Sequence, residues 1–268
     1  MANKVSEVKK QTNTLVSSLY SWNIIVAGLS LAEAGVIIWF AHSYIYSIVV
    51  NYLTKDTLKS TLTNQTVYTL TSHHLFDVNL SYLIVLFLLI SAAIHVLLAT
   101  YRRPDVEALI DKKQNTYKWL EQSLVLSLIL ISVGLILGLA DLASLTMIVV
   151  FSFSFNILGS RVEKNSSKTK VGRSVLLAIV LVGLAPLVVL GFYLLGGSVY
   201  GLNLSRYSLF EFLILIVFYL CFSLNFGLQH KKIGRWKQYL YGEKVNIALL
   251  FLTESVLVWL IYASLLRT

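Results

Sequence analysis

The chain predicts an all-α membrane protein: seven transmembrane helices forming a single domain over residues 1–268. Three observations predict it. First, 57% of the residues are hydrophobic and 13% charged, with a mean hydropathy of +0.75, which is too apolar for a soluble domain. Second, seven apolar runs alternate with polar connections, each run near the roughly 20 residues a helix needs to cross the hydrocarbon. Third, of the 22 lysines and arginines, all but Lys55, Lys59, Arg206 and Arg267 fall on connections facing one side of the bundle. The positive-inside rule then puts the N-terminus in the cytoplasm and the C-terminus outside, in a multi-pass protein of the cell membrane. The net charge of +9 is thereby a membrane-orientation signal, and nucleic-acid binding is excluded.

The elements follow in order. A basic lead at residues 1–10 precedes a first helix at about 19–44, which carries Ser30 and Glu33. Residues 45–78 form a polar connection on the outer side; residues 67–72 are β-prone, and His73 and His74 read as loop residues rather than a metal site. The second helix, about 80–100, carries His95 near its far end, and Pro104 lies in the basic loop beyond it. The third, about 117–139, has Glu121 just inside its start. Gly138 and Asp141 then make a tight turn in which Asp141 caps the fourth helix, about 142–159. After a polar loop at 160–173, with a flexible-looking stretch of asparagine and serine, the fifth helix at about 174–195 holds Pro186 mid-span, where neighbouring helices absorb a kink. The sixth helix is about 208–228 and the seventh about 245–266.

Within the seventh apolar run, GEKVNIALLFLTESVLVW at 242–259, one residue is out of place: Glu254. It sits roughly 13 Å along the helix past the last flanking lysine. An acid at that depth costs ~2.5–3.5 kcal/mol on insertion scales, so it marks a functional site by default. Residues one turn away are Leu250, Phe251, Leu257 and Val258, so any polar partner must come from another helix. The lone cysteine, Cys221, lies in an apolar run and supports neither a disulfide framework nor a cysteine metal cluster. The first apolar segment is far longer than a signal h-region, so no cleavable signal peptide is expected. Neither a P-loop, a nucleophile elbow nor a zinc-protease helix is present, and the chain is not expected to be an enzyme.

Several stretches together resemble the heliorhodopsins, the inverted branch of the microbial rhodopsin superfamily. They are YKWLEQSL at 117–124 followed by GLADLASL at 138–145, LFLLISAAIHVLL at 86–98, NFGLQHKKIGRWKQYLYGEK at 225–244, and the seventh helix as far as Trp259. The resemblance covers nearly the whole chain and implies a rhodopsin-like seven-helix bundle. By that resemblance Glu121 matches the Schiff-base counterion and His95 a histidine of the adjoining polar cavity. Asp141, Pro186 and Asn225 also match family positions. On the first helix Ser30 stands where the family has a histidine, and Glu33 where it has a glutamine. Gln122, Ser127, Leu250, Trp259 and Pro186 would line the pocket, with Val125, Leu126 and Ser127 replacing a serine-rich patch and Leu250 replacing a serine. The ungapped match puts Glu254 where heliorhodopsins attach retinal.

Covalent attachment needs a primary amine, which a carboxylate does not supply, so no covalent retinal is expected. The former attachment site would instead bring Glu254, Glu121 and Glu33 towards His95, and two nearby carboxyls tend to share one proton. Read singly, His95 is a hydrogen-bonded core histidine, Glu33 a cross-bundle hydrogen-bonding residue, and Glu254 either a neutral acid satisfied by one neighbour or a working site. Three functions stay open. One is a light-independent signalling or regulatory protein with a cytoplasmic partner. A second is a proton- or cation-binding protein, with Glu254, Glu121 and His95 as candidate metal ligands. The third is a non-covalent binder of retinal or another apolar ligand. The resemblance also implies a homodimer in the lipid bilayer, with the 45–78 loop as a contact.

Overall fold

A computed structural model describes residues 2–165, 172–200 and 206–266, with side chains from residue 17 onward; part of the 160–173 connection lies outside the described residues. Seven of its helices are long and apolar enough to span a membrane. They are α1 (Ala2–Trp39), α3 (Leu80–Ala99), α5 (Thr116–Ile136), α6 (Leu142–Asn165), α7 (Arg173–Val199), α8 (Arg206–Lys231) and α9 (Tyr239–Leu265). The bundle is built around α5. Of its most apolar window 72% is buried, against 22% for α7, which lies on the periphery with its leucines and valines turned outward. The core is a continuous apolar body in which Phe87 and Leu88 of α3 meet Ile129, Leu130 and Val133 of α5 and Leu257, Val258 and Ile261 of α9.

Local chemistry starts and stops these helices. Asn79 caps α3 by accepting from the Ser81 N–H at 3.0 Å, and Asn115 caps α5 by accepting from Lys118 N–H at 3.1 Å. Gly138 takes a left-handed conformation (φ 88°) that ends α5 at Ile136, three residues earlier than hydropathy suggests, because the Leu139 N–H turns back to the Gly134 carbonyl at 2.8 Å. Two glycines allow close helix contacts: a Cβ at Gly159 would run into the Trp119 ring, and one at Gly183 would come within 2.6 Å of Phe155.

The 45–78 connection is more ordered than a loop. Strand β1 (Ile45–Lys55) pairs antiparallel with β2 (Tyr68–Asn79), and a short helix, α2 (Thr57–Thr63), closes the tip. The first helix therefore ends at Trp39 rather than near 44. Its exit is held by the start of α3, where the Leu80 N–H donates to the Tyr44 carbonyl and the Ser81 hydroxyl to the His42 carbonyl, each at 2.9 Å. A bulge between Ile48 and Val49 re-aims β1 so that Ile48 is buried and the Val49 N–H donates to Ala140 at 3.0 Å. On β2, His74 pairs with Asp77 at 2.9 Å, and Asp77 also accepts from the Ser47 hydroxyl at 2.7 Å.

The basic loop after α3 also holds a helix, α4 (Arg103–Asp111), with Pro104 in its first turn, where a missing N–H costs nothing. Val106 and Ile110, one turn apart, pack into a second cluster with Leu19, Leu98 and Leu240.

Asp141 ties the hairpin to the bundle. Its carboxylate accepts from the backbone N–H and hydroxyl of Ser144, each at 2.9 Å, capping α6, and from the Asn51 N–H at 3.3 Å. Burial acts to raise its pKa, but the hydrogen bonds from Ser144, Asn51 and Ala143 outweigh it and hold the carboxyl below its ordinary range. Asp141→Ala is expected to cost about 0.5–2 kcal/mol, the usual value of an N-cap, measured by thermal unfolding in detergent. A folded-state pKa below the unfolded one stabilises above the unfolded value. The mutational difference should therefore be full near neutrality and disappear as pH falls through the lowered pKa of Asp141.

Candidate functional site

Three groups of buried polar residues are stacked along the inner face of α9, completed by α3 and α5 in the middle, by α5 and α6 at one end and by α8 at the other. On α9 the residues Glu243, Asn246, Leu250, Glu254, Leu257 and Ile261 recur at three- and four-residue steps, so one stripe carries them all inward.

The middle layer contains the residues expected to matter. Glu254 is fully buried and accepts a hydrogen bond from the Ser91 hydroxyl of α3 at 2.9 Å; its other oxygen is also buried and has no protein partner. One turn along α3, His95 is fully buried as well, with Nδ1 2.7 Å from the Asn23 side-chain oxygen of α1. Its Nε2 lies 3.2 Å from Glu121 Oε1 of α5. Glu121, which hydropathy alone would leave at the helix start, is buried inside the bundle at 3% exposure. Glu254 is within electrostatic reach of both Glu121 and Glu33. The site is thus two linked arms, Ser91–Glu254 and Asn23–His95–Glu121.

Other expected residues fall elsewhere. Glu33 is half-buried and accepts from the Ser255 hydroxyl at 2.5 Å and the Trp259 indole at 3.4 Å, on the α1–α9 seam. Trp259, expected to line the pocket, is 43% exposed and faces outward, because one position on from the buried Val258 turns a helical residue by 100°. Ser30 is buried with a hydroxyl lacking a protein partner. Gln122 donates to Asn246 at 3.0 Å, just below the Glu121 level, and Ser127 donates to its own helix at Ser123. Leu250 and Val125 are fully buried apolar residues, and Pro186 is buried in α7. Asn225 donates to the Gly242 carbonyl at 3.1 Å and accepts from the Trp236 indole at 2.7 Å. Among the described residues no three His, Cys, Asp or Glu side chains form a metal cage. The candidate ligands Glu254, Glu121 and His95 are not such a group: Glu254 is bonded to Ser91, and His95 lies between Asn23 and Glu121.

The end layer on the basic side was not anticipated. Lys118, the one buried lysine among the described residues, donates to Glu163 of α6 at 2.8 Å and to Glu243 of α9 at 2.7 Å. Glu163 also accepts from the Asn115 N–H, the Trp119 indole and the Tyr239 hydroxyl, and Glu243 from the Asn115 and Gln229 amides. This triad explains two differences from expectation: α6 runs to Asn165 so that Glu163 can reach inward, and α9 starts at Tyr239, placing Glu243 inside the helix. A sequence signal existed, since Lys118 lies three residues before Glu121 and Glu243 eleven before Glu254, both spacings that return to the same helical face. At the opposite end Glu211 of α8 is fully buried beside Ser264 of α9 and Tyr46 of β1, another acid not anticipated.

Comparison with curated proteins finds no match. Among solved structures the chain is similar to the crystal structure of a light-driven proton pump LR (Mac) from Leptosphaeria maculans, with 12% identity and a TM-score of 0.44 over 95% of this chain and 94% of that one. The family model described as heliorhodopsin matches residues 19–266, the whole of the membrane bundle and its hairpin. With its seven spans and a match of that extent, this chain belongs to the heliorhodopsin family.

Proposed function

We propose that this heliorhodopsin-family membrane protein works without light, in signalling or regulation, and that its core holds an exchangeable proton in place of a retinal Schiff base. The supporting observation is the buried acid Glu254 beside the Glu121–His95 pair, on a helix with no lysine between Val245 and Leu266. Retinal aldehyde joins a protein by condensing with a neutral primary amine and losing water. Glu254 has no nitrogen to offer. Lys118 is the other buried candidate, but held between two carboxylates it is an ammonium with no free lone pair. The covalent chromophore that the family implies therefore does not fit the residues present.

Two carboxyls buried in one apolar interior do not both carry charge at low cost, so Glu254 and Glu121 together favour holding one proton. His95, at 3.2 Å from Glu121, is placed to pair with the charge that remains. A change in proton occupancy would then alter how α3, α5 and α9 hold one another.

Purified protein incubated with all-trans retinal should show no hydroxylamine-sensitive visible band, and infrared spectra should show a protonated-carboxyl band that Glu254→Gln removes. A band bleached by hydroxylamine in the wild type would overturn the reading. A visible band resistant to hydroxylamine would favour a non-covalent apolar ligand instead.

A further inference from the structure

Beside the buried triad, the basic end of the bundle opens into a cavity of about 200 Å³ between the α4–α5 turn, α6, α8, the 3-10 turn Gly234–Lys237 and the first residue of α9. At roughly 30 Å³ per water molecule it has room for a small hydrated group. Lys113, Lys232 and Lys237 stand around it, with His230 beside them and Phe226 and Trp236 forming an apolar wall. All three lysines are exposed, and none has a carboxylate partner among the described residues. At its edge lies Glu163, which pairs with Lys118, an ammonium it shares with Glu243.

The backbone adds a second observation. Lys113 and Lys232 both sit in the left-handed region, with φ of 56° and 55°, Lys113 two residues past the end of α4 and Lys232 the first residue past α8. Glycine is the residue that such helix ends favour, because a Cβ is strained there. Lysine occupies both positions, and both line the same cavity.

We propose that this cavity is a binding site for a phosphomonoester group, held by Lys113, Lys232 and Lys237, with Trp236 and Phe226 against the apolar part of the molecule that carries it. Lysine ammonium groups make charge-assisted hydrogen bonds to phosphate, and a doubly charged monoester gains more from three of them than a singly charged diester does. Basic pockets between transmembrane helices hold anionic headgroups by the same chemistry. The group is carried by a lipid or by a small soluble ester. The α9 residue at its edge, Tyr239, is roughly 22 Å along the helix from Glu254, and the cavity shares no residue with the Glu254 site, so it stands or falls separately from the proton-binding reading.

The test uses the full chain in detergent, titrated with dioctanoyl phosphatidic acid while tryptophan fluorescence is read. Phosphatidic acid should bind at least about tenfold more tightly than dioctanoyl phosphatidylglycerol, and the combined Lys113→Gln, Lys232→Gln, Lys237→Gln variant should lose at least about tenfold in affinity at unchanged melting temperature. Lys55→Gln with Lys59→Gln, at the opposite end, should change nothing. Competition by glycerol 3-phosphate identifies a soluble ester as the source, and its failure to compete identifies the lipid. The proposal is overturned if neither phosphomonoester binds, if phosphatidylglycerol binds equally well, or if the triple variant binds like the wild type.

Discussion

Glu254→Lys is expected to turn a colourless protein into a pigment. The substitution puts a primary amine on the inner stripe of α9, beside Ser91 and within electrostatic reach of Glu121. A lysine there would be costly alone, because an unpaired ammonium in an apolar interior loses several kcal/mol of hydration. Glu121 is the compensation: it is buried, its partner on the other side is His95, and it can balance a positive charge on the nitrogen whether free or joined to retinal. The measurement is a visible band after retinal addition that appears in Glu254→Lys, is bleached by hydroxylamine, and is absent from the wild type and from Glu254→Gln. Adding Glu121→Gln to Glu254→Lys should shift the band strongly to shorter wavelength or abolish it, because the charge on the nitrogen then has no balancing carboxylate. If Glu121→Gln leaves the band where it was, Glu121 is not the balancing charge. Crowding by Leu250 and Val125 would lower the yield of pigment but would not mimic that dependence.

Lys118→Met is expected to be strongly destabilising, by about 3–5 kcal/mol, because it removes the cation from between two buried carboxylates. Glu163 and Glu243 are 6% and 1% exposed, and Lys118 is the ammonium the two carboxylates share. The loss should show as a large drop in thermal stability in detergent. Combining Lys118→Met with Glu163→Gln and Glu243→Gln should recover much of it, since the triple variant buries no charge at these three positions and each amide keeps one acceptor oxygen, with its NH2 left to donate to the Tyr239 hydroxyl. If the triple variant were as unstable as Lys118→Met alone, the packing of the lysine stem rather than its charge would be what matters.

Much of the architecture is legible along the chain. A membrane helix must satisfy every backbone polar group within itself, so its existence depends on a local run of apolar residues that one sequence displays. The ends are less legible. The seventh run looks as though it begins after Lys244, yet α9 starts at Tyr239, because Glu243 belongs to an ion triad whose cation lies 125 residues away. The 45–78 segment carries β-prone residues on only part of its length, and its pairing depends on register with a distant strand and on Asp141 beyond it.

The candidate site divides in the same way. That an acid stands deep in the seventh helix, that the helix holds no amine, and that Glu121 and His95 lie on other spans are properties of composition and position, and the sequence alone determined them. Only the tertiary structure decided that Ser91 rather than another acid binds Glu254, that Asn23 holds His95 against Glu121, that Trp259 faces outward, and that Lys118, Glu163 and Glu243 meet. The physical reason is the range of the forces. Hydropathy acts on contiguous residues, whereas a buried charge or hydrogen bond is satisfied by whichever helix packing brings within about 3 Å, and that choice is made by the rotation and depth of whole helices.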